Sequence, residues 1–560
     1  MLLLPNELIG KICNEVDRLE DKKSLRKTCT RLGRALRPHL LANVTINIHK
    51  HNLKPGLDLL HALVHQKELC SPHIRTLHIN SLSPSFFPDP DFEEKRDSAQ
   101  HTWELYEMVR GWVSDPEDDK NREIMKAHAA LNSLLDPALR SLHNLETFRW
   151  HWHWKDAEWT LQTIMQSLSS LSRIKEFSLS YTPHSSQREV MWRNPFIPLP
   201  ELFNLQVLSL SILSEKTRSS RSNTTPAPVI LPLMDHLLSR TSSLSGLHLD
   251  TGISSDASCP NFPLDDIAPQ LQYSITHLSI GGWSVDILPE IPTEFPNLSS
   301  LSIRIGRRSG HRLRTLFEGL IFHQIHLRCL VSDKFTDPML DYIASYSGLE
   351  VLSFTGPNWY GDRPEYNRTA DRFYSDILPL HQDTLVKLEV LPAFEGKWCL
   401  GEDNLAAIAG CSKLRYLGIR IRSDGIYIDP DFDMFAHFEF SMPNLVHQLF
   451  DMVNTSLPDL QTLHIDSAHF GNSASRSRSG TKYCRGVRKG IHKSIDAAFS
   501  DDRQEYCRGV LKWAKVYVAG ERLTMSHVNM GEIPMRKSKG SLFKMMKAKM
   551  SWRRSVRVQN

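Results

Sequence analysis

One short arrangement of apolar positions returns along most of this chain: apolar, two residues, apolar, one residue, apolar. It occurs at Ile74/Leu77/Ile79, Leu145/Phe148/Trp150, Ile174/Phe177/Leu179 and Leu205/Leu208/Leu210. It continues at Leu244/Leu247/Leu249, Ile275/Leu278/Ile280 and Leu298/Leu301/Ile303. Leu349/Leu352/Phe354, Leu385/Leu388/Val390, Leu414/Leu417/Ile419 and Leu460/Leu463/Ile465 complete the series, with Leu327/Leu330/Ser332 a weaker copy. The last two apolar positions lie two apart, so they share one face of a strand. The first marks the turn that enters it. A single such strand cannot bury its apolar side, whereas stacked copies form a parallel sheet with a continuous core. Helical stretches precede several copies, at 161–168, 233–238, 339–344 and 404–411. Intervals of 29 or 31 residues (145 to 174, 174 to 205, 244 to 275, 385 to 414) hold one strand and one helix each. The pattern predicts an α/β solenoid over 44–470, with parallel strands on its concave face and helices on its convex face.

The first 43 residues carry a different period. Pro5 fits the opening turn of a helix, where its missing N–H costs little. Leu8, Ile9, Ile12 and Val16 then recur at helical spacing, and Leu25, Cys29, Leu32 and Leu36 form a second stripe. Asp21 is a candidate N-cap for the second helix, and Pro38 is expected to end or kink it. Val44, Ile46 and Ile48 alternate with polar residues, which is a strand period. Loops interrupt the repeats near 84–97, where prolines and acids cluster, and near 214–228, which is rich in Ser, Thr, Arg and Pro. Residues 101–140 read as a mostly helical decoration. The array is expected to end near 470, followed by a basic region, 471–560, in which 483–518 has room for two helices.

These residues resemble a known family. Leu4-Pro5-Asn6-Glu7-Leu8-Ile9-Gly10-Lys11-Ile12 is similar to the opening of the F-box, and Ser24-Leu25-Arg26-Lys27-Thr28-Cys29-Thr30-Arg31-Leu32 resembles its second half. Thr28 stands where the family has Val, and Leu32 where it has an aromatic. Ile408-Ala409-Gly410-Cys411-Ser412-Lys413-Leu414, with Leu417 and Ile419, resembles the Cys-containing leucine-rich repeats that follow an F-box. The match covers about 45 residues of the head and, loosely, about 400 of the repeats, and its style is fungal. The resemblance implies an irregular leucine-rich-repeat solenoid and a non-catalytic substrate adaptor of a ubiquitin ligase. Its head would bind a Skp-type adaptor, and through it a cullin, while the repeats hold a protein target. Candidate adaptor contacts are Leu4, Pro5, Leu8, Ile9, Ile12, Leu25, Cys29 and Leu32. The same stripes could instead pack on the first repeat as the cap a solenoid needs. That would leave a repeat scaffold with no role in ubiquitin transfer.

Charge changes the picture of partners. The chain has 560 residues and a net charge of +4, but the balance is uneven. Residues 471–560 hold 21 Lys/Arg against 6 Asp/Glu, 1–50 hold 10 against 5, and 51–470 hold 36 against 52. The acidic middle suggests a basic target. The stretch 536–557 has nine Lys/Arg and no acid, interleaved with Leu542, Phe543, Met545, Met546 and Met550. As a helix it would suit an anionic membrane, RNA or a calmodulin-like partner, and a third reading of function, nucleic-acid or membrane association, rests on it; the alternative is a solvated, disordered tail.

Composition and motifs narrow the chemistry. Hydrophobic residues make up 41% and charged residues 23%, near the soluble average, and no apolar run approaches the ~20 residues of a membrane helix. No secretory signal is expected. The nine cysteines form no Cys-x-x-Cys pair, which argues for a reducing compartment, cytoplasmic or nuclear. No phosphate-binding glycine loop, dinucleotide fingerprint, nucleophile elbow or kinase signature is present, so no cofactor or small-molecule substrate is expected. His151-Trp152-His153-Trp154 would place both His on one strand face and both Trp on the other, a packing or binding surface more than a metal site. Asp429, Asp431 and Asp433 lack the glycine and distant Glu of a calcium loop. Trp359, Tyr360 and Asp362 follow a strand at the expected rim of the concave face and are candidates either for target contact or for covering the core.

Overall fold

The computed structural model describes residues 5–16, 19–85, 118–153, 155–182, 204–212, 243–250, 274–282, 290–304, 310–356, 364–422, 444–468, 478–500, 515–518 and 521–522. The chain divides into two compact units, Met1–Leu327 and Arg328–Asn560.

The first unit begins with three helices: α1 (Asn6–Glu15), α2 (Leu19–Arg26) and α3 (Thr30–Leu41). Among the described residues eight strands follow, β1 (Asn43–Ile48), β2 (Thr76–Leu82), β3 (Thr147–His153), β4 (Glu176–Thr182), β5 (Val207–Ile212), β6 (Gly246–Asp250), β7 (His277–Gly281) and β8 (Ser300–Arg304). They pair in chain order, every pair parallel. Helices α4 (Leu53–His65), α5 (Lys67–Cys70), α6 (Asp118–Arg140), α7 (Glu158–Leu168), α8 (Ile291–Glu294) and α9 (Gly310–Phe322) lie between or after them in sequence. Of these, α4 packs on α6 and α6 on α7.

Register explains the motif. Leu77, Phe148, Phe177, Leu208, Leu247, Leu278 and Leu301 stand opposite one another on successive strands. Ile79, Trp150, Leu179, Leu210, Leu249, Ile280 and Ile303 form the next row, and both rows are buried. The entry positions, from Ile74 to Leu298, are buried as well. Between repeats, one carbonyl accepts two N–H groups from the next copy. Ala42 O takes Arg75 and Thr76, Arg75 O takes Glu146 and Thr147, and Glu146 O takes Lys175 and Glu176. Each step uses both lone pairs of that carbonyl, so the turn into the strand leaves no unpaired acceptor in the core.

The second unit repeats the scheme with β9 (Cys329–Ser332), β10 (Val351–Gly356), β11 (Lys387–Pro392), β12 (Tyr416–Ile421), β13 (Thr462–Ser467) and β14 (Lys515–Val518), all parallel. A two-residue strand, β15 (Glu521–Arg522), returns antiparallel to β14. Leu330, Leu352, Leu388, Leu417, Leu463 and Val516 form one buried row. The helices are α10 (Asp337–Ala344), α11 (Pro364–Arg372), α12 (Glu402–Ala409), α13 (Leu445–Ser456) and α14 (Arg478–Ser500). Here α12 packs on α13 and α13 on α14. The architecture is α/β, an irregular repeat stack of the leucine-rich-repeat type. Among the described residues, no helix is long and apolar enough to cross a membrane.

Several local expectations change. The second stripe of the head is two helices, broken at Lys27–Cys29, and Asp21 lies inside α2, with no N-cap role. Cys29 caps α3 instead, its Sγ accepting the Leu32 N–H at 3.5 Å. Pro38 does not end α3, which runs on to Leu41. So near the C-terminus, Pro deletes a single helical hydrogen bond, and that loss is tolerable. The sheet continues past 470. Where a second helix was expected near the end of 483–518, Lys515–Val518 is a strand, with Val516 opposite Leu463 and Val518 opposite Ile465. Two β-branched residues with period two suit a strand better than a helix face.

Candidate functional site

The head has its own small core. Ile9, Leu32 and Leu36 are buried together, and Leu25, Cys29, Ala35 and Leu40 pack around them. This divides the candidate adaptor contacts. Ile9 and Leu32 fill the core, and Leu25 and Cys29 line it. Pro5, Leu8 and Ile12 face solvent, with Leu8 44% and Ile12 37% exposed. Leu4 lies outside the described residues. Helix geometry is the reason for the split: Leu8 and Ile12 are one turn apart on one face, whereas Ile9 is rotated by about 100° and turns inward. Lys11, on the same helix, is exposed. Helix α3 also touches β1 and the Ser71–His73 turn, so the head is seated on the first repeat through α3 and not through the Leu8–Ile12 face.

On the outward side of the strands, paired charges dominate. In the first unit, Arg149 Nε and Nη2 donate to Glu176 Oε1 at 3.1 and 2.8 Å. Arg304 pairs with Asp250 across the intervening strand β7. A Cβ on Gly281 would come within 2.6 Å of Asp250 Oδ1, so the bare glycine leaves room for that bridge.

In the second unit, Glu389 accepts from Ser353 Oγ at 2.6 Å and Tyr416 Oη at 3.0 Å, and lies 3.1 Å from Lys387 Nζ. Burial opposes its charge, but these three donors outweigh burial and hold the carboxyl below its ordinary range. Asp466 differs: Arg420 Nη2 at 3.4 Å and Arg488 Nη2 at 3.3 Å share it. Trp359, Tyr360 and Asp362, the target candidates, lie outside the described residues, as do Asp429, Asp431, Asp433 and 536–557.

Two buried polar side chains hold the repeats together. The Asp156 carboxylate accepts the Leu82 N–H at 3.1 Å and the His153 N–H at 3.0 Å, tying the ends of β2 and β3. Burial pushes its pKa up to about 7, against those two donors. The same contact alters the His-Trp stretch. Trp150 and Trp152 are buried and His151 is half-buried, but His153 turns inward, its Nδ1 accepting the Lys155 N–H at 3.2 Å. Trp154 is outside the described residues. In the second unit, His381 joins a strand entry to a helix. Its Nδ1 accepts the Leu349 N–H at 3.3 Å, and its Nε2 lies 3.1 Å from Ile343 O. Burial lowers its pKa, keeping the ring neutral.

The described cysteines are free thiols. Burial raises the pKa of Cys399 and Cys484, and that of Cys411 to about 12, so these three are protonated packing groups at neutral pH. Among the described residues, no group of three or more His, Cys, Asp or Glu could hold a metal ion.

No protein-family model matches the sequence, and no curated protein matches it. Solved structures do match. One chain of the Rad7 and Elc1 complex in yeast aligns over 85% of this chain and 91% of its own length, at 13% identity and a TM-score of 0.36. At that identity and score the alignment assigns no activity. The repeat architecture rests on the register and burial given above.

Proposed function

We propose that this protein is a non-catalytic substrate adaptor whose helical head docks a Skp-type protein, and through it a cullin, while the repeat units hold a protein target. The observation that carries this reading is the Leu8–Ile12 face. A three-helix head already has a closed core in Ile9, Leu32 and Leu36, yet it keeps two large apolar side chains on solvent one turn apart. Stability of the head does not need them there, and an apolar face one turn long suits a partner groove. The F-box-like wording of residues 4–12 and 24–32 names the kind of groove.

The rival reading, a scaffold whose head only caps the repeats, draws on the contacts of α3 with β1. It gives the Leu8–Ile12 face no task. Co-purification of the full chain with a Skp-type adaptor separates the two, run beside Leu8→Asp and Ile12→Asp. A charge in an apolar contact costs several kcal/mol, about 2–4 for a central contact. Binding by wild type, lost in both variants with unchanged circular dichroism, supports the adaptor. Absence of binding by wild type leaves the cap.

A further inference from the structure

Helix α14 carries charge opposite to that of the repeats on which it packs. Residues 328–470 hold 11 Lys/Arg against 21 Asp/Glu, a net of −10, whereas 478–500 hold six against one, a net of +5. One side of α14 is buried through Cys484, Val487, Ile491 and Ile495, and the helix contacts α13, β13 and β14. The other side exposes Arg485, Arg488, Lys489 and Lys493. These fall at i, i+3, i+4 and i+8, a stripe about 12 Å long at the α-helical rise. Arg488 is steadied by Asp466, but Asp466 is shared with Arg420, so one carboxylate meets two guanidinium groups. Glu389, by contrast, is saturated by three donors of its own. Six Lys/Arg against one Asp over 478–500 leave α14 with a positive excess whatever its individual pairings.

We propose that this stripe docks a short, strongly acidic segment of a protein partner. Like charges three and four residues apart on a helix repel one another, and carboxylates laid along them relieve that cost. The stripe spans about 12 Å, enough for three or four side chains of an acidic segment. A longer polyanion is disfavoured. A nucleic-acid strand or an anionic lipid surface would reach past the stripe to repeats whose described residues hold 10 Lys/Arg against 15 Asp/Glu, and meet repulsion there. The proposal does not rest on the adaptor reading; the stripe and its charge stand without it.

The test uses the full chain and a fluorescein-labelled ten-residue oligoglutamate, read by anisotropy at low and high salt. A single-stranded oligonucleotide and phosphatidylserine vesicles run alongside. Oligoglutamate is expected to bind in a salt-sensitive manner, and Arg485→Glu with Lys489→Glu is expected to weaken it by about tenfold or more. The milder pair Arg485→Gln with Lys489→Gln weakens it less, and its circular dichroism shows that the fold is kept. Leu8→Asp leaves the peptide affinity unchanged, which separates failure here from failure of adaptor binding. Equal binding by wild type and both pairs overturns the proposal. Tighter binding of the oligonucleotide or the vesicles, lost in the same pairs, overturns it in favour of a polyanion or membrane site.

Discussion

The repeat ladder and the helical head treat apolar residues in opposite ways. In the ladder every entry position, from Ile74 to Leu460, is buried, and the rows through Phe177 and Leu352 stack without a break within each unit. In the head, Ile9 is 2% exposed and Leu8, its neighbour in sequence, 44%. A ladder residue is enclosed by copies of itself on both sides, so its burial follows from repetition. A head residue is enclosed only by whatever the two other helices reach. The difference separates residues whose loss costs stability from residues whose loss leaves the fold intact.

Phe177→Ala should break the comparison most severely on the ladder side. Removing a ring that is stacked 6.0 Å from Phe148 and fully buried is expected to destabilise the first unit by about 3–5 kcal/mol, read from the urea midpoint. Ile9→Ala follows at about 2–4 kcal/mol, and it should melt the head's helices before the strands lose amide protection in hydrogen exchange.

The buried carboxyl of Asp156 sharpens the contrast between polar and apolar support in the ladder. Its folded pKa, about 7, lies above the ordinary value of 3.8. The folded state therefore holds the proton more tightly than the unfolded chain. The stability it contributes is complete below pH 4 and is lost as pH rises through 7. Between pH 5 and 7 the loss is roughly 2 kcal/mol, and Asp156→Asn should flatten that part of the profile.

Leu8→Ala comes last. It should change the urea midpoint by less than about 0.5 kcal/mol while it weakens adaptor co-purification. A large loss of stability in Leu8→Ala would mean that the exposed face is structural and would favour the cap.

The sequence alone determined the ladder. A strand places residues two apart on one face, and a parallel neighbour repeats the same demand, so a local spacing repeated often enough specifies sheet, register and core. Leu77, Leu247 and Leu417 needed no knowledge of distant residues to be assigned inward. The same locality made β1 legible at Val44, Ile46 and Ile48. It made β14 hard to see, because Val516 and Val518 offer one short alternation with no repeat spacing to support it.

Tertiary structure decided everything that depends on what lies across a gap in the chain. Leu8, Ile9 and Ile12 form one stripe in sequence, and only the position of α3 determines that Ile9 is core and the other two are surface. Asp156 is one more polar residue in a loop until Leu82, 74 residues earlier, brings an N–H to it. Arg488 and Arg420 are ordinary basic residues until β12, β13 and α14 set both around Asp466. Periodic burial is encoded by neighbours along the chain, whereas exposure, pairing and charge excess are encoded by neighbours in space.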